Sequence, residues 1–169
     1  MNIKIEGLDA LIKDLKKRRD ELPAKRKEFL KRLGEIGVNT ASVEFSKAKY
    51  AGDMRVSVAP VWIDDNTLEV QATGSSVIFI EFGSGVRYEE HPQAAEFGMI
   101  HGEYGRGQGK NDYWFYKMEG DKGLGNIGHE SHEHPGFAIT SGNPPARAMY
   151  QASVDIREKI AEIAKEVYS

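Results

Sequence analysis

The densest group of chemically capable side chains is His129-Glu130-Ser131-His132-Glu133-His134. Imidazoles at positions i, i+3 and i+5 beside two carboxylates are able to hold a divalent transition metal. The order differs from the His-Glu-x-x-His pattern of zinc proteases, in which the two histidines lie four residues apart on one helix face. Gly128 and Pro135-Gly136 favour a loop instead of a helix. We expect a solvated loop that holds no metal, and keep open a metal-dependent hydrolase that uses His129, His132 and His134.

The glycine-rich residues 102–110 resemble a phosphate-cradling loop only in composition. The phosphate-binding pattern needs a Ser or Thr directly after its lysine, at the start of a helix, whereas Lys110 is followed by Asn111. We therefore expect no cofactor here. A flexible segment that orders when it meets a partner fits this composition better.

A carboxylate, Glu81, stands in the apolar run of residues 77–82. Such a group can serve as a base with a raised pKa, but no histidine, second acid or nucleophile shows a relation to it in the sequence. We assign no catalytic residue. We expect Glu81 to face solvent at the end of a strand, or to form an ion pair with a neighbouring subunit.

Charge is distributed unevenly along the chain. Residues 1–32 hold 11 Lys/Arg against 6 Asp/Glu, although the whole chain has a formal net charge of −3. The run Lys16-Lys17-Arg18-Arg19 is compatible with a nucleic-acid-binding module that uses basic N-terminal helices, which stays an alternative. Interspersed acids and the lack of aromatic residues other than Phe29 favour a solvated or partner-facing helix.

The composition is that of one globular domain, which we predict to span residues 1–169. Hydrophobic residues make up 40% and charged residues 29%, which separates the chain from disordered and membrane classes. With no cysteine, disulfides, thiolate zinc sites and a Cys nucleophile are excluded. No apolar run approaches the roughly 20 residues that span a bilayer, and the first residues lack a signal-peptide core. We expect no membrane partner and a cytoplasmic location where the chain is made.

Periodic apolar positions predict the helices that position these groups. A first helix is predicted from Leu8 to near Pro23, and a second, longer one starts at Pro23. The last helix is predicted from about Pro145 to Val167 and should lie on the sheet. The predicted core stripes are Phe29, Leu33, Ile36, Ala41, Phe45 and Ala48 in the second helix, and Met149, Ala152, Ile156, Ile160, Ile163 and Val167 in the last.

Strand patterns lie between the helices. Residues 2–6, 55–59, 61–63, 67–73 and 77–82 read as short strands, with Pro60 marking an edge or a bulge. The predicted fold class is α+β: an antiparallel sheet of about four strands packed against a long N-terminal helix and a C-terminal helix, with a long Gly-rich insertion.

That insertion, residues 86–141, is predicted to be a projecting arm within the domain. Most of the chain's 18 glycines fall between Gly83 and Gly142, and so long a connection without a function is improbable. Residues 113–116 and 137–140 are expected to pair as a hairpin. Aromatic residues are typical anchors of protein interfaces, so we predict interface roles for Phe97, Tyr113, Trp114 and Tyr116.

Four segments follow one another along the chain: Gly7-Leu8 before a helix, the turn and strand at 52–58, Ile80-Glu81-Phe82-Gly83-Ser84, and Asn143-Pro144-Pro145-Ala146-Arg147 before the last helix. In this order they resemble the tail-completion (head–tail joining, neck) proteins of long-tailed bacteriophages, in their longer-loop variety. The chain departs from the family at Ala148-Met149, where Pro-Phe is frequent, and at Ser84, where Thr is common.

The resemblance implies a structural virion protein without catalysis. It implies a ring of identical subunits at the phage neck, which joins the head-completion protein to the tail tube during assembly in the host cytoplasm. DNA would pass through the ring without sequence-specific binding, and an acidic body would suit such a lumen. Glu81 and Arg147, which lie in the matching segments, are predicted to be interface residues.

Overall fold

A computed structural model describes residues 7–48, 56–74, 76–104, 110–117 and 128–169, with the backbone alone at 128–130. The predictions for residues 2–6 and 52–55 lie outside these ranges. The mixed α+β class is confirmed. Within the described ranges, four helices and five strands follow one another as α1 (Leu8–Lys47), β1 (Ser57–Asp64), β2 (Thr67–Thr73), α2 (Val77–Phe82), α3 (Ala94–Phe97), β3 (Trp114–Lys117), β4 (Gly128–Glu130), β5 (Phe137–Thr140) and α4 (Ala148–Tyr168).

The N-terminal part is one helix and not two. α1 runs through Pro23 without a break, so the predicted boundary there was wrong. Proline in a helix interior removes one hydrogen bond and costs about 3 kcal/mol. Long flanking runs of Leu, Lys, Arg and Glu, which are strong helix formers, offset this locally. The predicted core stripe of the C-terminal half is confirmed, with Leu33, Ala41 and Phe45 buried.

The last helix packs mainly on α1, whereas we predicted that it would lie on the sheet. Three side-chain contacts run along the antiparallel pair: Thr40 Oγ1 donates to Asp155 Oδ2 at 2.7 Å, Arg32 pairs with Glu166, and Lys25 Nζ donates to Ser169 O at 3.2 Å. α4 begins at Ala148, three residues later than predicted.

Ile163 is buried in this seam at 5% exposure, whereas Ile160 is 42% exposed. Placing Ile160 in the core was therefore wrong. At 100° per residue it stands about 60° away from Ile163, at the edge of the apolar stripe.

The strands form two separate small sheets, and the predicted single sheet of about four strands was wrong. β1 and β2 pair antiparallel from Ser57 opposite Thr73. Pro60 lies inside β1, opposite Val70; a two-stranded sheet has only edge strands, where proline is tolerated. β3, β5 and β4 form the second sheet in that order, which confirms the predicted pairing of β3 with β5.

Residues 77–82 form the helix α2 and not the predicted strand. A short apolar run cannot be assigned to strand or helix from periodicity alone. α2 packs against α1 and against the start of α4. The buried cluster at this meeting point consists of Ala41, Phe45, Ile80, Ala148 and Ala152.

Gly37 lies where α1 is in close contact with both α4 and β2. A Cβ atom at this position would come within 2.7 Å of Ile156 Cδ1 and 2.9 Å of Val70 Cγ2. Among the helices that the structure describes, none is long and apolar enough to cross a membrane.

Candidate functional site

The two segments that flank residues 86–141, the predicted insertion, meet in one hydrogen-bonded junction. Ser84 N donates to Asn143 O at 2.9 Å, and Asn143 N donates to Ser84 O at 3.2 Å. The side chains join as well, since Ser84 Oγ donates to Asn143 Oδ1 at 2.6 Å. Residues almost sixty positions apart thereby form an antiparallel bridge. We name residues 79–84 and 143–150 together the α2–α4 junction.

The junction satisfies the end of α2 completely. The last four carbonyl groups of a helix have no partner within it. Here each has one from another part of the chain. Asn143 Nδ2, Ala146 N, Arg147 N and His101 Nε2 donate to the carbonyl oxygens of Phe79, Ile80, Glu81 and Phe82, respectively, over distances from 2.7 to 3.2 Å.

Glycine is needed at the close contacts of the junction. Gly83 has φ +77°, and a Cβ there would lie 2.7 Å from both Asn143 O and Pro145 N. Gly142 has φ +86° and approaches the backbone of Ser84 from the other side. Positive φ is costly for residues that carry a Cβ, so both glycines are set by backbone geometry.

Glu81 lies at the centre of the junction and is only 5% exposed. The expectation that it faces solvent was wrong. Its Oε2 accepts from Met149 N at 3.0 Å and its Oε1 from Tyr150 N at 3.0 Å. Those are free amides of the first turn of α4, where a negative charge is also favoured by the helix dipole. Glu81 therefore caps α4 from a remote position in the chain.

His91 completes the environment of this carboxylate. Its Nε2 lies 3.2 Å from Glu81 Oε1, and its Nδ1 accepts a hydrogen bond from Gln93 N at 3.0 Å. Because Nδ1 is an acceptor, Nε2 carries the hydrogen and the ring is neutral. Burial lowers the pKa of His91 below its usual value, although the Glu81 carboxylate acts in the opposite direction.

Arg147 connects the junction to the insertion. Among the described residues it is the one non-glycine with positive φ, at 56°. Its Nη2 donates to Glu89 Oε2 at 3.1 Å and to Glu90 O at 3.1 Å. Backbone strain of this kind persists only where surrounding contacts hold it. Arg147 thus fixes residues 89–90 within its own chain, and its predicted contact with another subunit stays a prediction.

The predicted aromatic anchors lie in two groups. Phe97 is exposed and contacts Phe82, with ring centroids 5.7 Å apart, next to the junction. Tyr113 is exposed at the start of the second sheet, while Trp114 and Tyr116 in β3 are half-buried. Their roles in an interface stay predictions.

The predicted histidine loop is in part a strand, because Gly128–Glu130 form β4 and pair with β5, and Ser131 directly after it is buried. His132 and His134 are exposed, and the side chain of His129 lies outside the described part. Within the described ranges no group of three or more His, Asp or Glu side chains is arranged to hold a metal.

The basic run of α1 forms exposed ion pairs with its interspersed acids, namely Arg18 with Asp14, Arg19 with Asp20 and Lys17 with Glu21. Such pairs reduce the positive field that phosphate binding requires.

Sequence reasoning missed His91 and the capping role of Glu81. One signal was available. α4 starts after Pro144-Pro145-Ala146-Arg147 and lacks the Ser, Thr, Asp or Asn that usually caps a helix from its own N-cap position. A buried helix start without a local cap needs an acceptor from elsewhere in the chain.

Comparison with known proteins adds no family to these observations. No protein-family model matches the chain, and neither the curated proteins nor the solved structures contain a match.

Proposed function

We propose that this chain is a structural protein of the neck of a long-tailed bacteriophage, which forms a ring between the head-completion protein and the tail tube. The observation that carries the proposal is the α2–α4 junction. The two segments on which the resemblance to tail-completion proteins rests most strongly are bound to each other through hydrogen bonds from both backbones and side chains. The contact between the two segments therefore explains the residue types of both.

The chemistry of the junction supports a scaffold role. Glu81 and His91 form the kind of acid–imidazole pair that enzymes use, but both groups are occupied by structural contacts. Glu81 accepts from two amides of α4, and His91 bonds to Glu81 and to Gln93 N. Buried groups that are engaged in this way hold the start of a helix in place, which is a structural task.

The charge of the chain also fits a conduit for DNA. The formal net charge is −3 although the first 32 residues are basic, so the remainder of the chain is acidic. An acidic lumen would repel phosphates and let the DNA pass without being held.

Disruption of the gene in the genome that encodes this chain tests the proposal. Virion assembly in its absence should stop before joining, and electron microscopy of an induced lysate should show DNA-filled heads and separate tails. Wild-type protein supplied in trans should restore joined particles. Glu28→Gln, a change at an exposed position of α1, should restore them equally well and serves as the matched control for substitutions in the junction. Normally joined, infectious particles in the disrupted strain would contradict the proposal.

A further inference from the structure

Residues 91–100 form a loop that hydrogen bonds close at its base. Glu90 Oε1 accepts a hydrogen bond from His101 N at 3.0 Å, so the two residues that flank the loop are joined. The base is also fixed to the α2–α4 junction, because Arg147 Nη2 donates to Glu90 O at 3.1 Å and His101 Nε2 donates to Phe82 O at 2.7 Å. The loop contains α3, and we call it the α3 loop.

Within the loop, three side chains hold α3 against the rest of the protein. His91 and Ala94 are buried, at 3% and 1% exposure. Phe97 is exposed and contacts Phe82, with ring centroids 5.7 Å apart. The ring of His91 contacts the rings of Phe82 and Tyr150, at centroid distances of 4.4 and 5.6 Å. Of the three side chains in the loop, His91 alone is titratable.

The two ring nitrogens of His91 make hydrogen bonds that require the neutral form. Nε2 carries the hydrogen that faces Glu81 Oε1 at 3.2 Å, and Nδ1 accepts a hydrogen bond from Gln93 N at 3.0 Å. Protonation of His91 adds a hydrogen to Nδ1. Two N–H groups would then face each other, and the turn that leads into α3 would lose this hydrogen bond. The geometry of the closed loop therefore opposes a proton on His91.

The charged groups around His91 come from three other parts of the chain. Glu81 of α2 favours a proton on the ring, whereas Arg147 before α4 and His101 after α3 disfavour it. Burial has the largest effect, and the pKa of His91 lies below its usual value. Tyr150 of α4 contacts the ring edge-on. The closed loop thus binds a proton less readily than an open loop in which water surrounds His91.

We propose that the α3 loop is a pH-sensitive latch, which is closed while His91 is neutral and opens when His91 takes up a proton. Opening separates Phe97 from Phe82 and exposes the ring of Phe82 to solvent. The base of the loop stays in place, because its hydrogen bonds do not involve His91. Glu81 keeps its two bonds to the amides of α4, so the junction also stays formed. The latch does not depend on the proposed neck function.

Hydrogen exchange followed by mass spectrometry measures the opening in the intact protein. The amides that report on α3 donate to carbonyl groups within the loop and belong to Ala94, Phe97, Gly98 and Met99. Their exchange rates at about pH 7 and about pH 5.5 are divided by the rates of an unfolded chain at the same pH. We expect the corrected rates to be about four- to eight-fold higher at the lower pH, because uptake of one proton shifts the equilibrium by up to about tenfold per pH unit below about 6.5. The amides of residues 33–45 in α1 should stay at least about tenfold slower than those of α3 at both pH values.

His91→Gln separates the latch from other effects of acid. A glutamine side chain can donate to Glu81 and accept from Gln93 N, but it does not titrate. In this variant the corrected rates of the α3 amides should be equal at the two pH values. His132→Gln, at an exposed histidine, is the matched control and should keep the pH response of the wild type.

Three results would overturn the latch. One is a wild type in which the corrected rates of the α3 amides are the same at both pH values. Another is a pH response in His91→Gln that equals that of the wild type. The third is equal corrected rates for α3 and for residues 33–45, which would mean that α3 opens only when the whole protein unfolds. The first and third results need only the wild type, so they decide the question even if His91→Gln does not fold.

Discussion

Replacement of Glu81 by alanine should destabilise the protein more than any exposed substitution. The change removes the acceptor of three donors, namely Met149 N, Tyr150 N and His91 Nε2. A buried donor that loses its partner costs about 1–3 kcal/mol, and loss of a helix cap costs about 0.5–2 kcal/mol. Because water can reach part of the space vacated at the start of α4, we expect a total loss of about 3–5 kcal/mol. That is a large share of the roughly 5–15 kcal/mol that stabilises a domain.

Urea unfolding measures this loss. The midpoint for Glu81→Ala should fall with little change in slope, and the melting temperature should fall by roughly 10 °C, since about 1 kcal/mol shifts Tm by 2–4 °C in a chain of this size. Glu28→Gln should stay within about 0.5 kcal/mol of the wild type. A Glu81→Ala variant that is as stable as this control would refute the capping role.

Three further outcomes are expected. Burial lowers the pKa of His91, so His91 binds a proton more readily in the unfolded chain than in the folded one. The free energy of unfolding should therefore fall as the pH drops below about 6.5, the usual pKa of histidine. His91→Gln, whose amide can still donate to Glu81, should make the free energy of unfolding less dependent on pH in that window. Ile163→Asp should cost several kcal/mol in thermal melts because it buries an unpaired charge, whereas Ile160→Asp should cost less than about 1 kcal/mol, and equal effects would contradict the seam. Gly37→Ala should destabilise by about 1–3 kcal/mol through contact with Ile156 and Val70, and a stabilised variant in urea would show that α1 and α4 are free to separate.

The periodic elements were predictable, and elements that depend on distant contacts were not. A long series of apolar residues at helical spacing, such as Leu33 to Phe45 in α1, predicts which side chains are buried, because the spacing of the apolar residues matches the period of the helix. The pairing of β3 with β5 followed from two short aromatic and β-branched runs. The continuation of α1 through Pro23 could not be predicted from the sequence. Rules for local sequence include the cost of a proline inside a helix but not the stability of the helical segments on both sides of it.

The candidate site also combines features that the sequence predicts with features that depend on distant contacts. The segments at 80–84 and 143–147 were recognisable as motifs in the sequence, but their contact with each other depends on the tertiary structure. Glu81 looked like a surface charge because residues 77–82 read as a strand, in which alternate side chains face outward. In the helix α2 the same residue points at the first turn of α4. The partner His91 lies in the predicted glycine-rich insertion, where no periodic pattern predicts which side chain packs in the core.

The measurement that tests the neck assignment most directly is the position of this chain in virions. A short epitope tag can be placed directly after Ser169, which is exposed, and purified particles can be labelled with gold-coupled antibody and viewed by electron microscopy. We expect gold at the junction between head and tail, and no label on the capsid or the distal tail. Joined particles without label at that junction, or label confined to another part of the virion, would contradict it.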